Sequence, residues 1–139
     1  MRAAILSPLL LPLAALCACA QTPADTARAA QEQQATQAKL DKALAGLTPG
    51  RTTSCIPSTY PNAHTEAYGS TLLYRVSRNL VYRTQTAGGC ENIARGDVLV
   101  TKLLEGRPCR GDISTTVSPV THTFTGSCSF GDFTEYRRP

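Results

Sequence analysis

Residues 70–86 read Ser70-Thr71-Leu72-Leu73-Tyr74-Arg75-Val76-Ser77, then Arg78-Asn79, then Leu80-Val81-Tyr82-Arg83-Thr84-Gln85-Thr86. Two runs rich in aliphatic, aromatic and β-branched residues flank a short polar break, which is the pattern of a β-hairpin. A three-residue loop, Ser77-Arg78-Asn79, pairs Val76 with Leu80, Tyr74 with Tyr82 and Leu72 with Thr84. That register gathers Leu72, Tyr74, Val76, Leu80 and Tyr82 on one face. It also places Asn79 where the chain needs a left-handed residue, a conformation Asn tolerates. A two-residue loop would oppose Tyr74 to Arg83 and split the apolar set. Arg75 and Arg83 then project from the other face, read here as open sheet.

Further strand-like segments follow the hairpin. Asp97–Leu104 (DVLVTKLL) is closed by Glu105-Gly106-Arg107-Pro108, and a run beginning at Ile113 (ISTTV) stops at Pro119, which cannot donate to a ladder. His122–Thr125 and about Phe130–Tyr136 complete the series. Short strands between turns predict a mainly β domain over residues 51–139, a small antiparallel β-barrel or sandwich. No helix-period segment of useful length is read after Gly50.

The chain has 139 residues, 42% hydrophobic and 17% charged, with ten Gly, nine Pro and six Cys. This suits one loop-rich, disulfide-held domain and excludes a disordered acidic or basic tail.

Residues 1–20, MRAAILSPLLLPLAALCACA, carry one Arg, a short apolar run containing Pro8 and Pro12, and then small residues. Such a run is too short to span a bilayer and reads as an export signal. Leu16-Cys17-Ala18-Cys19 resembles a bacterial lipobox, so residues 1–18 are expected to be removed, Cys17 with them, and Cys19 to be lipidated. Ala20 directly after Cys19 then implies the outer membrane. Ala18-Cys19-Ala20 also fits ordinary secretion with cleavage after Ala20. No other segment is read as spanning a membrane.

Residues 19–50 are expected to form a helical stalk or linker. Ala, Gln, Lys and Glu dominate, Thr22 or Asp25 caps the start beside Pro23, and Gly46 with Pro49-Gly50 ends it. Leu40, Leu44 and Leu47 form a stripe only two turns long, enough to dock the last turns on the domain. A sustained coiled-coil pattern is missing.

The remaining cysteines, Cys55, Cys90, Cys109 and Cys128, are even in number in a chain expected to be exported, which predicts two disulfides. Of the three connectivities, sequential pairing (Cys55–Cys90 and Cys109–Cys128) is preferred, because the second pair flanks segments that would neighbour each other around Pro119. Zinc knuckles are absent, and no metal site is assigned.

Few residues invite chemistry. Arg95-Gly96-Asp97 and Arg110-Gly111-Asp112 repeat an adhesion-type triplet, and Gly131-Asp132-Phe133 is a third Gly-Asp. The favoured reading is a recurring turn in which Gly bends the chain and Asp caps it. His64-x-Glu66 is an acid–base pair only if its stretch is extended, and nothing nearby in sequence completes a catalytic set. His122 alternates with Phe124 on a short strand, and Ser127 lacks a nucleophile-elbow motif. No phosphate loop, dinucleotide fingerprint or metalloprotease motif occurs. No catalytic residue and no cofactor are assigned.

Residues 51–139 contain ten Lys and Arg against seven acids. That surplus suits an anionic envelope polymer or lipid headgroups. A basic barrel with Tyr and Phe also raises an oligonucleotide-binding barrel, but export and the small excess argue against nucleic acid.

Leu44-Ala45-Gly46, Gly50-Arg51, Ser54-Cys55-Ile56, Leu72-Leu73-Tyr74-Arg75, Gly89-Cys90, Cys109-Arg110-Gly111-Asp112 and Gly126–Phe133 (GSCSFGDF) together resemble a family of small exported proteobacterial proteins with four cysteines and no assigned function. The resemblance covers roughly residues 44–136. It implies structural cysteines in a β-rich domain, and no catalytic residues carry over. The Thr/Ser-rich run Ser114–Thr125 matches no motif in it. The expected role is a non-catalytic envelope lipoprotein facing the periplasm, anchored by its N-terminal lipid, that binds or scaffolds an envelope protein or anionic polymer. The alternative is a small periplasmic inhibitor of a lysozyme-like hydrolase, although such an inhibitor would present an acidic face.

Overall fold

The computed structural model describes residues 22–58 and 60–139. The expected signal peptide, Cys17, Cys19 and the cleavage sites lie outside the described residues.

One helix, α1 (Pro23–Leu44), precedes seven strands: β1 (Thr48–Thr53), β2 (His64–Tyr68), β3 (Thr71–Ser77), β4 (Leu80–Gly88), β5 (Val98–Thr101), β6 (Ile113–Val117) and β7 (Phe124–Arg137). A short 3-10 helix, Glu91–Arg95, follows β4. The strands make one antiparallel sheet in the order β2-β3-β4-β7-β6-β5, with β1 also on β7. The expected mainly β class, antiparallel pairing, two disulfides and N-terminal helix are all present. The sheet curls into half a barrel.

The 14-residue β7 is the spine. One edge pairs with β4 from Arg137 to Cys128, while the other carries β1 at its C-terminal end and β6 at its N-terminal end. The two strands expected over His122–Thr125 and Phe130–Tyr136 are therefore one. Gly131, read as part of a recurring Gly-Asp turn, lies within this strand, and both it and Gly126 are points of close approach. A Cβ on Gly126 would run into the carbonyl of Gly89, and one on Gly131 would lie 2.7 Å from the carbonyl of Gln85. β1 begins inside the stretch assigned to the stalk, so the boundary at residue 50 cuts a strand. Its sequence, TPGRTT, is almost wholly exposed and carries no apolar alternation, and the ladder with β7 alone makes it a strand.

The hairpin register is as expected at Tyr74–Tyr82 and Leu72–Thr84. The turn is not: Ser77 opposes Leu80 and Val76 sits in a bulge, so two residues, Arg78 and Asn79, make the loop. Among non-glycine described residues only His122 has a positive φ, so Asn79 is not left-handed. The bulge absorbs the extra residue and keeps the apolar register intact.

Both hairpin faces are buried. Leu72, Tyr74 and Tyr82 face the concave core with Ile56, Phe130 and Phe133. Tyr74, Phe130 and Phe133 meet edge to face, with ring centroids 5.8–6.0 Å apart. Leu73 and Val81 face the other way and pack on Leu40, with Ala43, Leu44, Leu47 and Tyr136 around them. The face read as open sheet is thus covered by α1. The consecutive Leu72-Leu73 is the trace of this in the sequence, since a strand buried on both faces loses its alternation.

α1 starts with a capping box: Thr22 Oγ1 accepts from the Asp25 amide, and the Asp25 carboxylate accepts from the Thr22 amide. Leu40 is its buried residue and the rest of its length is largely exposed. No helix among the described residues is long and apolar enough to cross a membrane.

The disulfides are Cys55–Cys109 and Cys90–Cys128, which corrects the sequential pairing. Topology is the cause. The chain beyond β1 runs antiparallel to the segment around Cys109, with the Ile56 amide on the Pro108 carbonyl and the Arg110 amide on the Ser54 carbonyl. Cys128 opposes Gly88 on the spine, two residues before Cys90. β6 and β7 do neighbour each other around Pro119, but Cys109 precedes β6 and is drawn to β1 instead.

Candidate functional site

The carboxylate of His64-x-Glu66, the pair weighed for acid–base chemistry, is engaged structurally. His64 and Glu66 lie on β2, with His64 opposite Arg75 and Glu66 opposite Leu73. Glu66 receives Arg75 Nε at 2.8 Å and the Tyr68 hydroxyl at 2.9 Å. The Arg75 guanidinium beside it holds the Glu66 carboxyl below the usual range, although partial burial opposes the shift. Such a carboxylate stays ionised and occupied, which suits an ion pair and not a general acid. His122 is exposed in the β6–β7 turn, its amide on the Ser118 carbonyl, and not on a strand. Ser127 donates to the Ser114 carbonyl at 3.1 Å, a contact between strands.

The Arg-Gly-Asp triplets are turns with inward carboxylates. Gly96 and Gly111 have φ of 100° and 87°. The Asp112 side chain, 2% exposed as a residue, accepts from the Cys109 amide at 2.9 Å, and Asp97 accepts from the Thr125 hydroxyl. Asp132, from the third Gly-Asp, pairs with Arg110.

Cys55, Cys109 and Glu105 bring ligand-type atoms together, but both sulfurs are joined to each other and offer no thiolate.

What remains is a charge distribution. Glu66, Glu105, Asp132 and Glu135 are each ion-paired, to Arg75, Arg107, Arg110 and Arg137. Asp97 and Asp112 are hydrogen-bonded to their own domain. Of the domain's carboxylates only Glu91, exposed in the 3-10 helix, is left without such a partner among the described residues, so unpaired cations outnumber unpaired carboxylates on the domain surface.

Three of the unpaired cations, Arg51, Arg78 and Arg138, lie toward the hairpin end of the sheet beside the paired Arg75 and Arg137. Arg78 is in the loop, Arg137 opposes Leu80, and the Arg138 amide donates to the Asn79 carbonyl. Arg51 lies on β1 close enough to act on the Glu135 charge, and Arg75 reaches the Ala43 carbonyl at 3.2 Å. A shallow groove of about 460 Å³ runs between α1 and β2–β3, lined by Lys39, Lys42, Glu66, Tyr68 and Arg75. Glu66 and Glu135 at this end are both held low by their arginines. The Tyr60 and Tyr82 rings stack at 6.0 Å beside Glu135, onto which the Tyr82 hydroxyl donates. Burial pushes the Tyr82 phenol up, so it stays neutral. Sequence reasoning counted these cations but had no means of placing them together, because the helix, the hairpin loop and the chain's last residues meet only in the fold.

No family model, no curated protein and no solved structure matches this chain.

Proposed function

We propose that the chain is a non-catalytic cell-envelope lipoprotein whose β domain binds an anionic envelope polymer through its basic hairpin end. The observation that carries this reading is the asymmetry of charge. Six of the seven domain carboxylates are ion-paired or hydrogen-bonded within the domain, the exception being the exposed Glu91 at the start of the 3-10 helix, while Arg51, Arg78 and Arg138 make no ion pair among the described residues. Cations grouped with few competing carboxylates attract a polyanion over a long range and release its counterions. Two disulfides suit an oxidising compartment, in keeping with export and with the resemblance to small exported proteobacterial proteins. In this reading Cys19 carries the lipid, the outer membrane is the site, and α1 spaces the domain from it. Pro23 to Leu44 spans roughly 33 Å at 1.5 Å per residue, and its C-terminal turns join the basic end.

Inhibition of a lysozyme-like hydrolase is the weaker reading, because a basic enzyme asks for an acidic face and this domain carries ten Lys and Arg against seven acids.

Co-sedimentation with an insoluble polycarboxylate glycan tests the proposal. Binding should be salt-sensitive, lost in Arg78→Glu/Arg138→Glu and retained in Arg95→Glu, a charge reversal outside the hairpin end. Equal binding by all three proteins, or none by the wild type, overturns it.

A further inference from the structure

β5 is the last strand in the sheet order, with β6 on one edge and no strand on the other among the described residues. Its sequence, Val98-Leu99-Val100-Thr101, contains no charge and no proline, the devices that normally keep an exposed edge unpaired. Val98 opposes Val117, and Val100 opposes Thr115. With Ile113 and Phe124 they form an outward apolar face, where Val98, Val100, Ile113 and Phe124 are 51–66% exposed. From Ile113 to Gly131 the sequence has no Asp, Glu, Lys or Arg. The Thr/Ser-rich run left without a role in the sequence belongs to this wing.

We propose that β5 pairs antiparallel with β5 of a second copy of this chain, extending the sheet across a two-fold axis. Charge selects this occupant. The chain carries a net +4, so two copies repel wherever their cations meet; β5 itself is uncharged, and the exposed Lys102 beyond it, beside Ile113, must stay at the margin of the contact. Symmetry then selects the register. A two-fold axis normal to the sheet keeps the outer face outward, so β5 must meet itself about a residue of its own. Centred on Leu99, each Val98 lies opposite Val100 of the second copy, and four valines close over one another outside the sheet. Centred on Val100, the same axis would set Lys102 against Val98, so the Leu99 register is preferred. The small interface predicts a reversible dimer of micromolar affinity.

Sedimentation equilibrium of the full chain in density-matched detergent tests this. The protein mass should rise from that of a single chain to twice that value with micromolar loading. Val100→Lys changes a residue 53% exposed and introduces an ammonium twice at the axis, and should weaken association by about tenfold or more. Far-ultraviolet circular dichroism checks its fold, and Val98→Lys provides the same test from the opposing position. A single-chain mass for the wild type at all loadings, dimers that survive both lysines, or one copy of the chain bound to another polypeptide at β5 would each overturn the proposal.

Discussion

Arg75 ties the helix to the sheet. Its Nε lies 2.8 Å from Glu66 on the neighbouring strand, and its Nη2 donates to the carbonyl of Ala43 at 3.2 Å, near the end of α1. A cation at a helix C-terminus meets the negative end of the helix dipole, and Glu66 fixes the guanidinium there.

Glu66→Gln removes the charge that holds Arg75 and should cost about 1 kcal/mol near neutral pH, a small value because both side chains are partly solvated. The folded Glu66 carboxyl titrates below its ordinary value of 4.5, so its contribution is present above that pH and fades as pH falls below it through the folded value. Urea melts across the acid range should show wild type and variant converging below pH 4.5, with Glu135 and its Arg137 partner unchanged in both.

Leu40 is the helix side chain seated on Leu73 and Val81. Leu40→Ala should destabilise the domain by roughly 2–4 kcal/mol, the usual range for emptying such a site. Limited proteolysis should then cut within α1 before the sheet is attacked.

Gly126 faces the Gly89 carbonyl with no room for a side chain. Gly126→Ala must separate β7 from the chain leading to Cys90, at an expected cost of about 2 kcal/mol or more. Gly46→Ala is the contrast: nothing stands within 4 Å, and its cost is that of a left-handed alanine at φ 75°.

Peptide mapping without reduction should recover Cys55 with Cys109 and Cys90 with Cys128. The bridges span 54 and 38 residues, so loop entropy assigns each about 4 kcal/mol, and replacing either pair by alanines should lower stability on that scale.

Much of the fold was legible where residues act locally. The Ser70–Thr86 register followed from where Tyr74 and Tyr82 must lie, and the start of α1 followed from Thr22, Pro23 and Asp25. Elements that depend on distant partners were hidden. β1 exists because β7 has a free edge, and β7 reads as two strands because the stretch Gly126–Ser129 has no apolar alternation, its Gly126 serving the close approach to Gly89. The disulfides followed strand neighbours, which spacing does not encode. At the candidate site, the reading of the Gly-Asp pairs as turn caps holds for Asp112, which accepts from the Cys109 amide in its own turn. Asp97 instead accepts from Thr125 on β7, and Gly131-Asp132 lies within β7. The basic hairpin end joins residues from Lys39 to Arg138 and has no sequence signature.

The most direct measurement is the intact mass, without reduction, of the protein extracted from bacterial membranes. The account predicts a chain beginning at Cys19 with added acyl mass and four hydrogens fewer than its fully reduced form. A full-length chain from Met1 bearing free thiols, or one starting at Gln21 with no acyl mass, would contradict it.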